Sequence, residues 1–208
     1  MARSEDLKTP EARFAFTREL FTAKAGSDEP GAKKKFGCTL LFPKSADLSA
    51  LKDAAVKAAT EEWGDKAVQW IKDGVIKSPF LDGDGPQGIA KKTGERKEGH
   101  VGHTFIRVTS GETMKPVVVD RLRNPVVDAA GCPSGCYGFA VVNAFTWDNP
   151  KNGKGITFGI SMAQVTRPGE ALGGGGGPDP DKFFEKIADE GAAPEATKSG
   201  QGAGGLFG

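Results

Sequence analysis

Tyr137-Gly138-Phe139-Ala140-Val141-Val142-Asn143-Ala144-Phe145-Thr146-Trp147 is the stretch whose reading decides the fold. Its odd positions carry Tyr137, Phe139, Val141, Asn143, Phe145 and Trp147, and its even positions carry Gly138, Ala140, Val142, Ala144 and Thr146. A period of two sustained over this length is the mark of a β-strand with one aromatic face and one small face. The strand is expected over Gly135–Trp147. Asp148, Asn149, Pro150, Asn152 and Gly153 then read as a turn, and Gly155–Val165 as the returning strand of a hairpin whose loop exceeds two residues. The aromatic face has two readings. Aromatic rings exposed on a sheet stack bases at roughly 1–3 kcal/mol each, largely regardless of sequence. The same rings are also ordinary core material. Tyr137 and Trp147 sit at the strand ends and carry polar atoms that need partners, so they are the rings expected to reach solvent.

Outward from the hairpin, the elements are short. Strands are expected over Ala12–Arg18, with Phe14 and Phe16 sharing a face, and over Lys35–Phe42, which Pro43 stops. Asp47 is placed to cap a helix over Leu48–Trp63 whose buried stripe is apolar and small, and Gly64 ends it. A second helix fits Lys66–Asp73, and further strands fit Thr104–Thr109 and Lys115–Asp120. Pro79–Gly102 has no apolar period and reads as a long loop, a length usually reserved for function or disorder. Mostly short antiparallel strands with an inserted helix point to a mainly β (β/α+β) fold with one or two helices. The expected form is a five-stranded OB-type barrel with a helix between strands and a flexible C-terminal tail. The barrel domain is drawn over 1–172 and the Gly-rich tail over 173–208, with a short helix fitting Asp181–Glu190.

The charge is segregated along the chain. The total is 28 Lys+Arg against 27 Asp+Glu, a net of +1. Residues 178–208 hold 3 basic and 6 acidic side chains, so the preceding part is net +4. Within that part, 85–125 alone hold 8 basic and 4 acidic side chains and both His. Such segregation speaks of an anionic partner for the core. The candidate phosphate contacts are Lys33, Lys34, Lys35, Lys91, Lys92, Arg96, Lys97, Arg107, Arg121, Arg123, Lys151 and Lys154, with Phe105, Tyr137 and Trp147 as stacking rings. Each cluster alone is more often a solvated loop face. The acidic tail, tipped by Leu206 and Phe207, is expected either to compete for a basic groove or to hand an apolar side chain to a partner protein.

Other chemistries find little support. His100-x2-His103 and Cys132-x3-Cys136 are two pairs in zinc-like spacing and the candidate metal ligands, although satisfied loop histidines and ordinary thiols are the preferred reading. No cofactor is expected. Asp82-Gly83-Asp84 fails the EF-hand pattern and reads as a tight turn. Gly153-Lys154-Gly155 lacks the Ser/Thr and the first Gly of a P-loop. No nucleophile–base set is visible, so an enzyme is not expected. Three Cys suit a reducing cytoplasm rather than a disulfide framework. No apolar run approaches the ~20 residues of a membrane span, and no export signal is recognised.

An ordered set of stretches resembles the single-stranded DNA-binding proteins of tailed-phage replication modules, an OB-fold family. They are Thr9–Phe14, Lys35-Phe36 with Leu41–Lys44, Asp82–Asp84, Phe105-Ile106, Pro116–Asp120, Ser134–Tyr137, Asn149–Gly155 and Val165–Glu170 with the following Gly run. The resemblance covers about residues 9–177. It implies a non-enzymatic protein that coats and protects single-stranded DNA in replication, recombination and repair. It also implies contact with phage polymerase or helicase through the tail, possible homodimers, no membrane, and residence in the host cytoplasm. The alternatives are a viral structural or assembly protein using a barrel for protein contacts, and a zinc-stabilised nucleic-acid-binding module.

Overall fold

The computed structural model describes residues 1–26, 31–91 and 93–172. Contacts divide the chain into Met1–Gly174 and Gly175–Gly208. The tail, its expected helix over Asp181–Glu190, and Lys92 lie outside the described residues.

The strands are β1 (Leu7–Lys8), β2 (Ala12–Ala15), β3 (Lys24–Ala25), β4 (Lys34–Pro43), β5 (Ile76–Lys77), β6 (Leu81–Asp82), β7 (His103–Gly111), β8 (Val117–Val119), β9 (Tyr137–Asn149) and β10 (Gly153–Arg167). Helices α1 (Ser49–Trp63) and α2 (Lys66–Lys72) lie between β4 and β5. Five strands follow one another in a ring, β9-β2-β4-β7-β10, and β10 returns to β9. The β9–β10 hairpin is the longest ladder, running from Gly153↔Asn149 to Arg167↔Tyr137 with irregularities at Ile160/Met162 and Val165/Arg167. The seams are thin: β2 meets β9 through Ala12↔Gly138 and Arg13↔Tyr137, and β7 meets β10 through Phe158↔Val108 and Gly159↔Thr109. The result is an OB-like barrel rather than a cleanly closed one. The expectation of mostly antiparallel pairing needs one amendment, because β5, β7 and β8 all join β10 in parallel.

The alternation in β9 settles which face is inside. Gly138, Ala140, Val142, Ala144 and Thr146 are buried, while Tyr137, Phe139, Phe145 and Trp147 are half-buried on the outer face. Phe14, Leu40, Phe42, Ile106, Val108 and Phe158 fill the interior. The small inner face of β9 makes room for α1, whose buried stripe is Leu51, Ala55, Ala58 and Ala59. The helix starts one residue later than expected, with Leu48 at the N-cap; Asp47 stands just before it and accepts from Ser49 N–H at 2.9 Å, and Gly64 closes the helix at φ +64°.

Two stretches depart from the sequence reading. The first strand stops at Ala15, where Phe16 turns into the left-handed region (φ 59°, ψ 35°) and a 3-10 turn follows over Thr17–Leu20. Phe14 is therefore buried while Phe16 is 50% exposed, instead of the two sharing a face. Second, Pro79–Gly102 is not structureless. It holds β6, a 3-10 turn at Pro86–Gly88 and a bridge between Ile89 and Arg96. Its Asp82-Gly83-Asp84 turn is pinned by Lys44, whose Nζ lies 3.1 Å from Asp82 and 2.5 Å from Asp84. Asp84 Oδ1 also accepts from Gly102 N–H at 2.9 Å. This loop covers a satellite cluster of Ala15, Leu41, Phe105 and Leu172 on the outside of the sheet.

Candidate nucleic-acid interface

A cleft of about 500 Å³ opens on the outer face of β4 and β7, lined by Phe16, Lys24, Lys35, Gly37, Thr39, Lys97, Arg107 and Thr109. Strand register builds it: Lys35↔Gly111, Gly37↔Thr109 and Thr39↔Arg107 place small side chains on the floor and cations at the walls. Gly37 is required here. A Cβ on it would stand 2.4 Å from the Val108 carbonyl oxygen. Lys24 is held by Glu19 at 3.4 Å. Burial, reinforced by the nearby charges of Arg107 and Lys91, lowers the pKa of Lys97. Burial is the main cause, and the neighbouring cations add to it; a bound anion would oppose both effects.

Phe16 forms the aromatic wall. Non-glycine residues in the left-handed region cost of order 1–3 kcal/mol and collect at functional sites. Phe16 is held there by Thr17, whose N–H donates to Ser134 Oγ at 3.2 Å, and its ring lies 6.3 Å from that of His100. Asn accepts this backbone more readily than Phe. Phe16→Asn should therefore leave the melting temperature unchanged or raised while weakening oligo-dT binding about fivefold or more, the loss of one stacked base. Calorimetry and fluorescence anisotropy on one preparation check both halves.

His100 backs this wall. It is buried, packs edge-on to Phe105 at 4.8 Å and bonds through Nδ1 to the Glu98 carbonyl. Burial pushes its pKa below the ordinary 6.5, helped by Lys97, Arg107 and His103 and opposed by the Glu98 carbonyl. The unfolded chain therefore takes the proton first. His100's contribution to stability is complete above about pH 6.5 and is lost as pH falls through its folded value. The melting temperature should drop between about pH 7 and 5, and this slope should flatten in His100→Gln.

The sequence candidates divide. Lys35, Lys97 and Arg107 meet in the cleft. Lys33 and Lys34 are exposed at the start of β4, and Lys91 is exposed in the loop between β6 and β7. Arg96 is structural, donating to the carbonyls of Gly83 (3.4 Å) and Asp84 (3.0 Å). Phe105 is a correction. It is fully buried beneath Lys97 and Arg107, whose charges lie 5.7 and 5.9 Å from its ring centre, and it has no face left for a base. Lys154 pairs with Asp148 at the hairpin turn, and Lys151 stands exposed beside it. Arg121 and Arg123 lie in the turn after β8, with Arg123 beside Lys8 and Phe139 and away from the cleft.

Three outer rings of β9, Tyr137, Phe139 and Trp147, are each paired with a cation. Arg167 stacks 3.6 Å over Tyr137, Lys8 lies 3.9 Å over Phe139, and Lys77 lies 5.8 Å from Trp147. Trp147 lies flat on Gly155, where a Cβ would come within 2.3 Å of the indole. Arg167 is fixed by Glu11 at 3.0 Å, and hydrogen bonds from Thr166 and Arg167 lower the Glu11 pKa. Sequence reasoning missed Phe16, Lys24, Lys8, Lys77 and Arg167. For Phe16 and Lys24 no local signal exists. The other three follow only from strand register.

The zinc reading finds no donor set. Among the described residues no group of three or more His, Cys, Asp or Glu could hold a metal. Cys132 and Cys136 are buried with their sulfurs 3.8 Å apart, and His103 Nδ1 bonds to the Val101 carbonyl at 2.7 Å. Among the described residues no helix is long and apolar enough to cross a membrane.

Fold and cleft together define an OB-like barrel with a cationic, aromatic-walled channel across its outer sheet. The chain belongs to the family described as the single-stranded DNA-binding protein of Enterobacter phage Enc34, whose sequence pattern matches residues 5–193. It is 31% identical over 190 residues to protein p50 of Acyrthosiphon pisum secondary endosymbiont phage 1, covering 88% of this chain and 96% of that one. Among solved structures it resembles the single-stranded DNA-binding protein of bacteriophage Enc34 in complex with ssDNA (TM-score 0.55, 19% identity, 81% of this chain and 89% of that one). It also resembles gp2.5, a single-stranded DNA-binding protein encoded by bacteriophage T7 (TM-score 0.52, 13% identity, 91% of this chain and 100% of that one).

Proposed function

We propose that the protein binds single-stranded DNA without sequence preference and without catalysis, coating and protecting strands exposed during phage replication and recombination in the host cytoplasm. The observation that carries this is the cleft, with Lys24, Lys35, Lys97 and Arg107 crowded beside an exposed Phe16 held in a strained backbone. Cations on such a track follow the phosphates and release their counterions, while an aromatic wall takes a base of any identity. Membership of the Enc34 family supports the reading, as does the ssDNA complex of the Enc34 protein, which shares the fold.

The test is titration of labelled oligo-dT at two salt concentrations. Single strands give a log–log salt slope of about −0.7 per phosphate. Four neutralised phosphates therefore predict roughly a fiftyfold loss of affinity from about 0.05 to 0.2 M salt. Absence of binding at low salt, with strong self-association instead, would favour a structural protein of the virus and end the proposal.

A further inference from the structure

We propose that Cys132 and Cys136 form an oxidisable dithiol, a modification site at which a peroxide converts the pair to a disulfide and thereby weakens the grip of the cleft on DNA. The effect on DNA rests on the reading of the cleft as a single-strand site; the modification itself does not. The two cysteines bracket Pro133, Ser134 and Gly135, in a turn closed by Cys136 N–H donating to the Pro133 carbonyl at 3.1 Å. Their sulfurs stand 3.8 Å apart, so that one thiol hydrogen-bonds the other. That bond lowers the Cys136 pKa against the opposing effect of burial, while the same bond together with burial raises that of Cys132. Cys136 is therefore the thiolate of the pair and Cys132 the thiol that resolves it. Cys38, the third free cysteine, is pushed up by burial and stays protonated.

The Cys136 thiolate attacks one oxygen of hydrogen peroxide. An S–O bond forms, the O–O bond breaks, and the hydroxide that leaves takes up the proton Cys136 had shed, giving a sulfenic acid and water. The Cys132 sulfur then attacks the Cys136 sulfur. An S–S bond forms, the S–O bond breaks, and the second hydroxide leaves as water with the Cys132 proton. Two thiols are oxidised and one peroxide is reduced to water. Both thiols are fully buried, so the first step waits on a local opening. Their cover is the loop 121–131 between β8 and β9, whose residues are exposed except for Val126 and Ala129. It is tied to β8 by Val126 N–H donating to the Val118 carbonyl at 2.9 Å. A cavity of about 350 Å³ borders this loop, with Cys136, Gly131, Pro133, Arg121 and Arg167 in its lining, so a small peroxide has space waiting beside the pair.

The turn between the two cysteines also holds the aromatic wall of the cleft. Ser134 Oγ accepts from Thr17 N–H at 3.2 Å, next to Phe16. Gly135 N–H donates to the Phe14 carbonyl at 2.7 Å, and Phe14 N–H to the Cys136 carbonyl at 2.8 Å. Bonded sulfurs stand about 2.05 Å apart. Closing the pair therefore draws the ends of the turn together, moves Ser134, and releases Phe16 from the left-handed backbone that this contact holds.

The full chain is treated with hydrogen peroxide under native conditions, then unfolded, alkylated and weighed intact and after proteolysis. The expected product has lost two hydrogens, yields a linked Cys132–Cys136 peptide and returns to the dithiol with dithiothreitol. Two thiols that both remain free, or a Cys136 that gains oxygen without forming the disulfide, overturns the site. In Cys132→Ser the sulfenic acid should persist and be trapped at Cys136 by dimedone. Equal trapping at Cys132 in Cys136→Ser overturns the assignment of roles. Oxidised and reduced wild-type protein are then titrated with oligo-dT. Oxidation should weaken binding about fivefold, the loss of one stacked base, and dithiothreitol should restore it. Cys136→Ser should keep its affinity through the peroxide treatment. Equal affinity of the two wild-type forms, or the same loss in Cys136→Ser, overturns the coupling to the cleft. A reduced protein that does not bind oligo-dT ends the single-strand reading and the coupling with it, while the mass measurement decides the dithiol by itself.

Discussion

Glutamate at both Lys97 and Arg107 should raise the dissociation constant for oligo-dT at least a hundredfold. Each charge-assisted hydrogen bond contributes about 1.5–3 kcal/mol, so two of them span factors of roughly 10² to 10⁴. The introduced carboxylates would also repel the phosphates that the cations had drawn in. The cost to the fold should be small. Arg107 is exposed, and the pair gives up the Lys97 Nζ bond to the Gln87 carbonyl at 2.8 Å and two peripheral cation contacts over the Phe105 ring. The salt slope should fall by about 1.4, the share of two phosphates. Arg96 is the internal control. It adjoins Lys97 in sequence but spends its guanidinium on the Gly83 and Asp84 carbonyls. Arg96→Gln should lower the melting temperature and leave the salt slope alone. Anisotropy at several salt concentrations, with thermal melts on the same variants, distinguishes the two arginines. An unchanged slope in the double variant would remove the cleft from the DNA path.

The barrel was legible because its strands repeat a period. In β9 the alternation of small and aromatic residues marked two faces over the whole strand, and the alanine stripe of α1 marked the surface that meets it. What alternation could not say was which face is inside, since rings serve either role. The answer comes from α1. A helix that buries Ala55, Ala58 and Ala59 packs close, and only Ala140, Val142 and Ala144 leave room for it. The candidate site was legible in part. Lys35, Lys97 and Arg107 were recognised as charge, but their meeting depends on the β4–β7 register. Arg96 and Lys97 looked equivalent, and only the fold separates the one that holds a loop from the one that faces the cleft. Phe16 could not be read because its position depends on a single backbone reversal with no Gly or Asn to announce it. Phe105 was misjudged for the opposite reason. It does stand on the outer face, but Leu81 of the long loop packs over it, and it is buried in a cluster with Ala15, Leu41 and Leu172.

Phe158→Ala and Phe145→Ala test the two faces against each other at neighbouring rungs of one ladder. Phe158 opposes Ala144 and points inward, fully buried and edge-on to Phe80 at 5.8 Å. Phe145 opposes Thr157 and points outward, half-buried on the outer face. Truncating a buried Phe costs about 3–5 kcal/mol, because its transfer energy is lost and a cavity remains. That is a large share of the ~5–15 kcal/mol that holds a domain together. For a chain of this size it corresponds to a fall in melting temperature of roughly 6–20 °C. DNA binding by the Phe158→Ala protein that remains folded should be close to normal, since the outer surface is untouched. Phe145→Ala should do the reverse. A half-exposed ring gives up much less on truncation, so the melting temperature should move by only a few degrees, about one kcal/mol at this size. Oligo-dT affinity should nevertheless drop about tenfold with the lost stack. Calorimetry and anisotropy on the two variants give four numbers. Loss of affinity confined to Phe158→Ala, or loss of stability confined to Phe145→Ala, would mean that the faces of the hairpin are assigned the wrong way round.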